Sequence, residues 1–307
     1  MSASDASTES RADVLFVTHC RAAYTRKSLP GLIKAVEGRG RIWIWHNGDH
    51  KERDPEKLRR IEEAWQVVQE YRDHPTIAHI HHSKKNVRLI PAMRWIFSRS
   101  QAEFIAKVDD DAIVEEAWLK RMLEVHDYYP EAGILGAWTF MPEDFDEELA
   151  AHKIIDIGNG LRVLRNNWVS GSAFVMKGEV VRGLGGLRWR ESFTSLCCRA
   201  ARKGWIVGWP LPLILEDHMD DPRSANTGFA DEEAFQASPP LSHHRTGALT
   251  LDRWAGQLRR SAIRVQACNL SHFPPAHTLA QRVLARAFHR FVMLISARTT
   301  FWSRDVR

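Results

Sequence analysis

The sequence predicts an α/β fold in which helices flank a mostly parallel central sheet. Up to residue 110, short runs rich in β-branched and aromatic residues alternate with amphipathic helical patterns. Such alternation is typical of helices that connect parallel strands. The predicted strands span residues 14–18, 42–45, 77–80 and 104–108.

Helical patterns lie between these strands. Apolar residues recur with helical spacing over 29–36 and 90–97, and a charged amphipathic segment spans 55–71. The second half is less regular. Short apolar runs predict strands at 134–137, 154–157, 173–176 and 206–207, a helix is expected over 195–203, and the polar segment 222–240 predicts a loop.

The composition excludes a disordered chain and predicts a cytoplasmic protein. Of 307 residues, 44% are hydrophobic, enough to bury a sizeable core. The four cysteines form no C-x-x-C pair, which favours a reducing compartment. Residues 1–13 lack the apolar stretch of a secretory signal. No apolar run approaches the roughly 20 residues that a membrane span requires.

Positive charge is concentrated at the C-terminal end. Residues 243–307 contain eleven arginines, no lysine and two acids, a net charge of +9 against +5 for the whole chain. Within them, 277–298 has the pattern of a basic amphipathic helix. Such a helix can lie on an anionic membrane, bind phosphodiesters, or pack on the domain with its arginines in water. The pattern leaves these alternatives open.

Three consecutive aspartates follow the fourth predicted strand. Adjacent buried carboxylates repel one another unless a cation offsets them. Alternation along an extended chain puts Asp109 and Asp111 on one side, with Asp110 opposed. Their oxygens are suited to Mn²⁺ or Mg²⁺, which can also bind the phosphates of a nucleotide diphosphate. The alternative is a polar turn that caps the next helix.

Five segments, in order, resemble the motifs of family 2 glycosyltransferases with the GT-A fold. VLFVTHCRAAYTRKSL and IWIWHNGD are similar to the first two strands and their loops. FIAKVDDDAIVEEAWLKRML resembles the strand, Asp-x-Asp motif and following helix. WVSGSAFVMKGEVV resembles the strand that faces the sugar, and CCRAARKGWIVGWPLPLILEDH the late helix, glycine turn and strand before a metal-binding histidine.

The resemblance implies a Rossmann-like GT-A domain, to which the helical pattern near the C-terminus adds a C-terminal helical extension. It also implies metal-dependent transfer of a sugar from a nucleotide diphosphate donor to a hydroxyl acceptor, with inversion. Asp109, Asp111 and His218 would bind Mn²⁺ or Mg²⁺. The residues that would line the nucleotide pocket are Thr18, His19, Arg21, Asp49, Arg88 and Asp110.

The chain departs from the family pattern at two places. His46 stands where the family usually has an acid that recognises the nucleotide base. The Glu-Asp pair that supplies the catalytic base is not in register before the late helix. Glu191 is the nearest carboxylate, and Glu216 and Asp217 compete with it; Glu191 and Asp217 are our candidates for the base.

Three tryptophans lie in the half that would contact the acceptor: Trp138, Trp168 and Trp189. Aromatic faces commonly stack on sugars, whereas core packing is the more common role of any one tryptophan. We expect one of the three at the site. The acceptor would be a glycan, lipid-linked or other hydroxyl compound if the basic tail binds a membrane, and modified nucleic acid if it binds phosphodiesters.

These patterns predict a disordered N-terminus (1–12), a nucleotide-sugar-binding half (13–130), an acceptor-binding half (131–242) and a basic, partly helical extension (243–307). The extension would allow peripheral contact with the inner face of a membrane. One rival is a nucleotidyltransferase of the same fold, disfavoured because THCRAAYTRK lacks the glycines of a phosphate loop. Another is a non-catalytic GT-A-like protein that binds membrane or nucleic acid through its tail.

Overall fold

The structure, a computed structural model, describes residues 10–188, 191–237, 240 and 250–270. Within them the strands are β1 (Ala12–Thr18), β2 (Gly40–Asn47), β3 (Ile77–Ser83), β4 (Phe104–Asp109), β5 (Ala112–Val114), β6 (Ala132–Gly136), β7 (Ile154–Gly158), β8 (Leu161–Arg165), β9 (Ala173–Lys177), β10 (Ile206–Leu211) and β11 (Glu216–His218). The α-helices are α1 (Ala22–Val36), α2 (Pro55–Glu70), α3 (Leu89–Phe97), α4 (Trp118–Tyr128), α5 (Glu147–Ala150), α6 (Gly178–Gly183), α7 (Phe193–Arg202), α8 (Glu232–Ala237) and α9 (Leu251–Ala267). Two 3-10 helices span Pro142–Asp144 and Ala151–Lys153.

Most of the described strands form one large sheet, in the order β3-β2-β1-β4-β9-β6-β10-β8-β7. The first four of these are parallel to one another. β9 runs antiparallel between β4 and β6. Beyond it, β6 and β10 are parallel, while β8 and β7 add antiparallel pairs. The predicted α/β class is confirmed, with a parallel half and a mixed half.

The parallel strands are covered on both faces, which explains their nearly continuous apolar sequences. Val14 and Phe16 of β1 pack in one core with Leu29 of α1. Leu15, which points the other way, packs in a second core with Met93 of α3. The four strands and the three helices predicted in this half are therefore confirmed, with ends that differ by a few residues.

The second half contains elements that the sequence patterns did not predict. The expected short strands are present as β6, β7, β9 and β10. β8 was missed because its sequence, LRVLR, mixes arginine with apolar residues. The predicted loop over 222–240 is wrong at α8, where fully buried Phe235 packs against Phe229 and Trp254. One buried aromatic side chain stabilises this short helix, so periodicity could not indicate it.

A two-stranded ribbon joins the aspartate run to a distant part of the chain. β5 pairs antiparallel with β11, so that Ala112 lies opposite His218 and Val114 opposite Glu216. The backbone N–H of Met219 also donates to the carbonyl oxygen of Asp111 at 2.8 Å. The pairing brings together residues about one hundred positions apart in sequence.

Part of the predicted basic extension packs on the domain as α9. The side chain of Gln266, fully buried, accepts from the backbone N–H of Asp146 at 2.6 Å and donates to the carbonyl oxygen of Asp144 at 2.9 Å. The buried Lys153 donates to the carbonyl oxygen of Val265. The segment 277–298 lies outside the described residues. Among the helices of the described ranges, none combines the length and apolar character needed to cross a bilayer.

A substitution at Gly208 of β10 can test how closely the mixed half of the sheet is packed. A Cβ atom there would overlap the carbonyl oxygen of Leu164 and lie 2.9 Å from Cγ1 of Val163. We expect Gly208→Ala to lower the free energy of unfolding by about 2–3 kcal/mol, since overpacking against backbone cannot relax easily. The control Gly31→Ala, with no atom within 4 Å of its new Cβ, should leave α1 unchanged or stabilise it by up to about 1 kcal/mol. If urea unfolding showed the same change in the free energy of unfolding for both substitutions, this description of the packing around Gly208 would be contradicted.

Candidate active site

Polar residues gather at the sheet edge where the parallel strands end. Thr18 ends β1, Asn47 ends β2 and Asp109 ends β4. β9 runs in the opposite direction, so Ser172, just before it, also lies at this edge. The backbone N–H of Asp109 donates to the carbonyl oxygen of Ser172 at 2.8 Å. The loops in which the sequence predicted a ligand site therefore meet, as expected for this class of sheet.

Lys107 supplies one of the cations that the aspartate run requires. Its Nζ lies 2.5 Å from Oδ2 of Asp109 and donates to the carbonyl oxygen of Gly171. The lysine is only 1% exposed, so its charged group is buried in the protein interior. Burial nevertheless raises the pKa of Asp109 to about 6. The structure thus pairs Asp109 with a protein cation.

Arg21 supplies a second cation. Its Nη1 donates to Oδ2 of Asp111 at 2.9 Å. Burial raises the pKa of the neighbouring Asp110, which accepts a hydrogen bond from Thr18, to about 7. Burial acts on Asp111 in the same direction, but the charges of His218 and Arg21 outweigh it and lower the pKa of Asp111. Asp111 is therefore the aspartate held most firmly as a carboxylate.

The aspartates do not cap the next helix. α4 begins at Trp118, its N-cap residue is Ala117, and no side chain accepts a hydrogen bond at this end. The strand β5 separates Asp111 from the helix. The helix-cap alternative is therefore wrong.

Asp111 and His218 form a candidate metal site together with Asp220. One ligand atom from each of the three lies within 4.8 Å of the others. Oδ1 of Asp111 and Nδ1 of His218 are 3.9 Å apart. Both atoms are buried and have no hydrogen-bond partner among the described residues. Two carboxylates and an imidazole suit Mn²⁺, and buried acceptors that lack a partner fit a cation between them.

Asp220 was not identified from the sequence. It follows His218 by two positions, and Glu216 precedes His218 by two. Strand β11 ends at His218 and Asp220 lies in the turn that follows, so strand alternation could not indicate Asp220. Met219, between the two ligands, is fully buried.

The two acids of β11 face opposite sides. Oε1 of Glu216 accepts from Oγ of Ser172 and lies 4.0 Å from Nδ1 of His218. Oε2 of Glu216 is buried without a partner among the described residues, and burial raises the pKa of Glu216 to about 7. Asp217 instead accepts from Oγ of Ser224 and from Nδ2 of Asn226. The ribbon therefore brings Glu216, and not Asp217, to the candidate metal cluster.

Glu191 has partners in its own part of the chain. It accepts from Nε and Nη2 of Arg199 at 2.8 Å each and from the backbone N–H of Arg188 at 2.8 Å. These bonds hold the turn before α7 against the helix. None of them joins Glu191 to the aspartates, so its assignment as the base stays a prediction.

The predicted nucleotide pocket contains a chain of histidines. Nδ1 of His19 lies 2.5 Å from the carbonyl oxygen of Asn47, and its Nε2 lies 3.0 Å from Nδ2 of Asn86. His46 is fully buried, with Nε2 at 3.2 Å from the carbonyl oxygen of His19 and Nδ1 at 3.2 Å from Nδ1 of His82. Both ring nitrogens of His46 are thus occupied by protein groups.

Two other predicted pocket residues lie at the rim of this edge. Asp49, half-buried after β2, accepts from the backbone N–H of Lys51 at 3.2 Å. Arg88 is exposed at the start of α3, with a positive φ of 64°. The structure gives neither of them a contact with the aspartate run.

The tryptophans serve mainly in packing. Trp138 is fully buried, and its ring lies edge-on against Phe140, Phe145 and Trp209. Trp168 also approaches Trp209, with ring centroids 6.5 Å apart. Trp189 lies outside the described residues. The expectation that one of the three lies at the site stays a prediction.

The comparisons with known proteins define the class. Residues 61–205 match the model of glycosyl transferase family 2, which confirms the resemblance in the sequence. The match runs from within α2 to the turn before β10 and includes the aspartate run. The match covers slightly less than half of the chain and shows that this part is similar to glycosyl transferase family 2. None of the curated proteins matches the sequence.

Solved structures share the fold at low identity. The mannosyltransferase PcManGT from Pyrobaculum calidifontis, solved in complex with GDP-Man and Mn²⁺, has a TM-score of 0.51 at 15% identity, and the match covers 94% of this chain and 82% of that chain. S. aureus TarS 1–349 has a TM-score of 0.49 at 10% identity, covering 82% of this chain and 81% of that chain. The first likeness confirms the GT-A type of fold.

The buried His46 predicts a loss of stability in acid. Burial, followed by the charge of His82, lowers the pKa of His46 to about 4 from an ordinary value of 6.5. Between these values the unfolded chain binds more protons, so the free energy of unfolding falls as the pH falls from 6.5 to 4, by up to about 3 kcal/mol for this group. Urea unfolding across this range should show a shallower decline for His46→Gln. The control is His152→Gln, a substitution at an exposed histidine. If the free energy of unfolding of His46→Gln fell with pH as steeply as that of the wild type, the assignment of this pH dependence to His46 would be contradicted.

Proposed function

We propose that this protein is a metal-dependent glycosyltransferase that moves a sugar from a nucleotide diphosphate donor to a hydroxyl acceptor, with inversion. The observation that carries the proposal is the cluster of Asp111, His218 and Asp220, in which two buried ligand atoms have no partner among the described residues, at the edge where the parallel strands end. The match of residues 61–205 to the model of glycosyl transferase family 2 supports it. The Mn²⁺ and GDP-Man bound to the mannosyltransferase of similar fold support it.

Asp111, His218 and Asp220 would hold Mn²⁺ or Mg²⁺. When bound, the ion neutralises the negative charge that develops on the departing diphosphate. Asp109 would act beside this set, since Lys107 already pairs with its carboxylate. Asp111 belongs to the proposed donor half (13–130), whereas the other two ligands belong to the proposed acceptor half (131–242). The site would therefore depend on both halves of the domain.

The nucleotide would lie along the edge formed by the ends of β1 and β2. Thr18, His19 and Asp110 border this edge, and Arg21 lies beside the metal cluster. Asp49 and Arg88 lie at its rim, where the exposed arginine is available to phosphate oxygens. Because both ring nitrogens of His46 have protein partners, we assign base recognition to other groups.

Glu216 is our preferred catalytic base among the three carboxylates considered. It shares the side of β11 with His218, Ser172 orients one of its oxygens, and the other oxygen is buried without a partner among the described residues. Asp217 points away, and both oxygens of Glu191 are occupied by Arg199. In the reaction, Glu216 would accept the proton of the acceptor hydroxyl. The hydroxyl oxygen would attack the sugar from the face opposite the leaving group.

The proposed acceptor is a molecule that carries a hydroxyl group. A glycan, a lipid-linked acceptor or another hydroxyl compound fits the family, and a nucleic acid acceptor fits only if the basic segment 277–298 binds phosphodiesters. A cytoplasmic location, with peripheral membrane contact through that segment, stays a prediction.

Metal and nucleotide binding should depend on each other. We expect calorimetric titration with UDP, GDP and dTDP to show binding of one nucleotide that requires Mn²⁺. Asp111→Asn and His218→Ala should weaken this binding about tenfold or more, because each removes a ligand from the cation. Asp217→Asn is the matched control, because Asp217 lies next to His218 in β11. This variant should bind Mn²⁺ and nucleotide like the wild type. Nucleotide binding that ignores Mn²⁺ would refute the metal site.

Glu216→Gln should reduce turnover while nucleotide affinity is kept. Loss of a general base typically costs about 10²- to 10⁴-fold in rate. The measurement is release of nucleoside diphosphate from a panel of nucleotide sugars, with Mn²⁺ present. Asp217→Asn should keep wild-type turnover, and full activity in Glu216→Gln would exclude the assignment. Release of pyrophosphate from a nucleoside triphosphate would indicate the nucleotidyltransferase instead, and nucleotide binding without turnover a non-catalytic protein.

A further inference from the structure

Arg21 lies between two carboxylates of the proposed metal site. Its Nη1 donates to Oδ2 of Asp111 at 2.9 Å, and its Nη2 donates to Oδ2 of Asp220 at 3.0 Å. Tyr24, one turn along α1, holds this arrangement from the other side. Its hydroxyl donates to Oδ1 of Asp220 at 3.1 Å, and its ring lies 4.9 Å from the guanidinium carbon. The arginine side chain is 18% exposed, so water screens its charge only weakly.

The guanidinium and a divalent ion would share the same negative charges. The ion would bind Asp111, His218 and Asp220, while Arg21 is bonded to two of these three. Asp109 contributes little to the balance because it has its own cation in Lys107. With both cations present, their positive charge is larger than the negative charge of the two shared carboxylates. Like charges a few ångströms apart repel strongly in a buried site, so Arg21 and the ion would repel one another. A nucleotide diphosphate would restore the balance, because it brings at least two negative charges.

The position of Arg21 suits a change of partner. It is the residue immediately before α1, at the end of the loop that follows β1, and its backbone carbonyl oxygen is fixed by the N–H of Thr25 at 2.9 Å. The backbone is therefore anchored, whereas within the described part of the chain the side chain donates its hydrogen bonds to carboxylates of the cluster. A guanidinium fork binds phosphate oxygens as well as carboxylates.

We propose that Arg21 is an internal counter-ion, which competes with the divalent ion for Asp111 and Asp220 until a nucleotide diphosphate accepts its guanidinium. This inference rests on the metal site of the proposed function. It makes metal and nucleotide binding cooperative: the ion binds weakly alone, and each ligand strengthens the binding of the other. In this scheme Arg21 is a binding residue, because its guanidinium contacts the diphosphate directly.

The test is calorimetric titration with Mn²⁺, first without nucleotide and then with saturating nucleoside diphosphate. Without nucleotide, Arg21→Met should bind Mn²⁺ about tenfold more tightly than the wild type, within the usual range of coupling between sites. With Mn²⁺ saturating, the same variant should bind nucleotide more weakly. Effects of opposite sign separate this role from a structural one, because a damaged site would lose affinity for both ligands.

Arg26→Met is the matched control. Arg26 lies in the first part of α1, is 53% exposed, and pairs with Glu70 on the surface, so this variant should bind Mn²⁺ and nucleotide like the wild type. Arg21→Lys keeps the charge but loses the fork that bridges two carboxylates, and it should fall between the wild type and Arg21→Met. If Arg21→Met folds poorly, the rise in Tm on addition of Mn²⁺ replaces calorimetry, and that rise should exceed the rise of the wild type.

Two results would overturn the inference. Mn²⁺ affinity in Arg21→Met that equals or falls below that of the wild type, with Arg26→Met unchanged, would refute the competition while the metal site stands. If Mn²⁺ binds neither the wild type nor the variants, with or without nucleotide, the proposed function fails and the counter-ion role fails with it.

Discussion

Compensation of buried negative charge at the end of β4 is the constraint on which this site depends. A buried ion costs several kcal/mol unless a partner of opposite charge repays it. Lys107 reaches Asp109 from within the strand, and Arg21 reaches Asp111 from the loop after β1. These two cations offset the charges of two of the three aspartates at and just after the end of β4. Arg21 also ties the start of α1 to the edge where the nucleotide would bind.

The register of the β5–β11 ribbon decides which side chains meet the aspartates. Because side chains alternate along a strand, a slip of one residue would replace Glu216 and His218 by Asp217. The pairing of Ala112 with His218, extended by the hydrogen bond from Met219 to Asp111, sets the observed register. Ser224 and Asn226 satisfy Asp217 on the far side, so the unused carboxylate is not left without partners.

The proposed nucleotide side of the site differs from the usual family pattern in its electrostatics. An acid is usual where this chain has His46, which is buried and neutral at pH 7 because burial lowers its pKa to about 4. His46 links the loop after β1 to β3 through the carbonyl oxygen of His19 and the ring of His82. This position therefore stabilises the pocket wall, and the charge that an acid would bring to the nucleotide is absent from it.

The α/β class, the first four strands and the general place of the candidate site could be predicted from sequence patterns alone. Those strands are apolar throughout, and the loops after parallel strands must meet at one edge. Asp111 and His218 were likewise predicted, the first from the aspartate run and the second only through the family resemblance. Tertiary structure decided the rest. Asp220, Glu216 and the pairing of Arg21 with two carboxylates depend on contacts between positions about one hundred or more residues apart. Local patterns carry no record of such contacts, because strand register and charge pairing are set by packing.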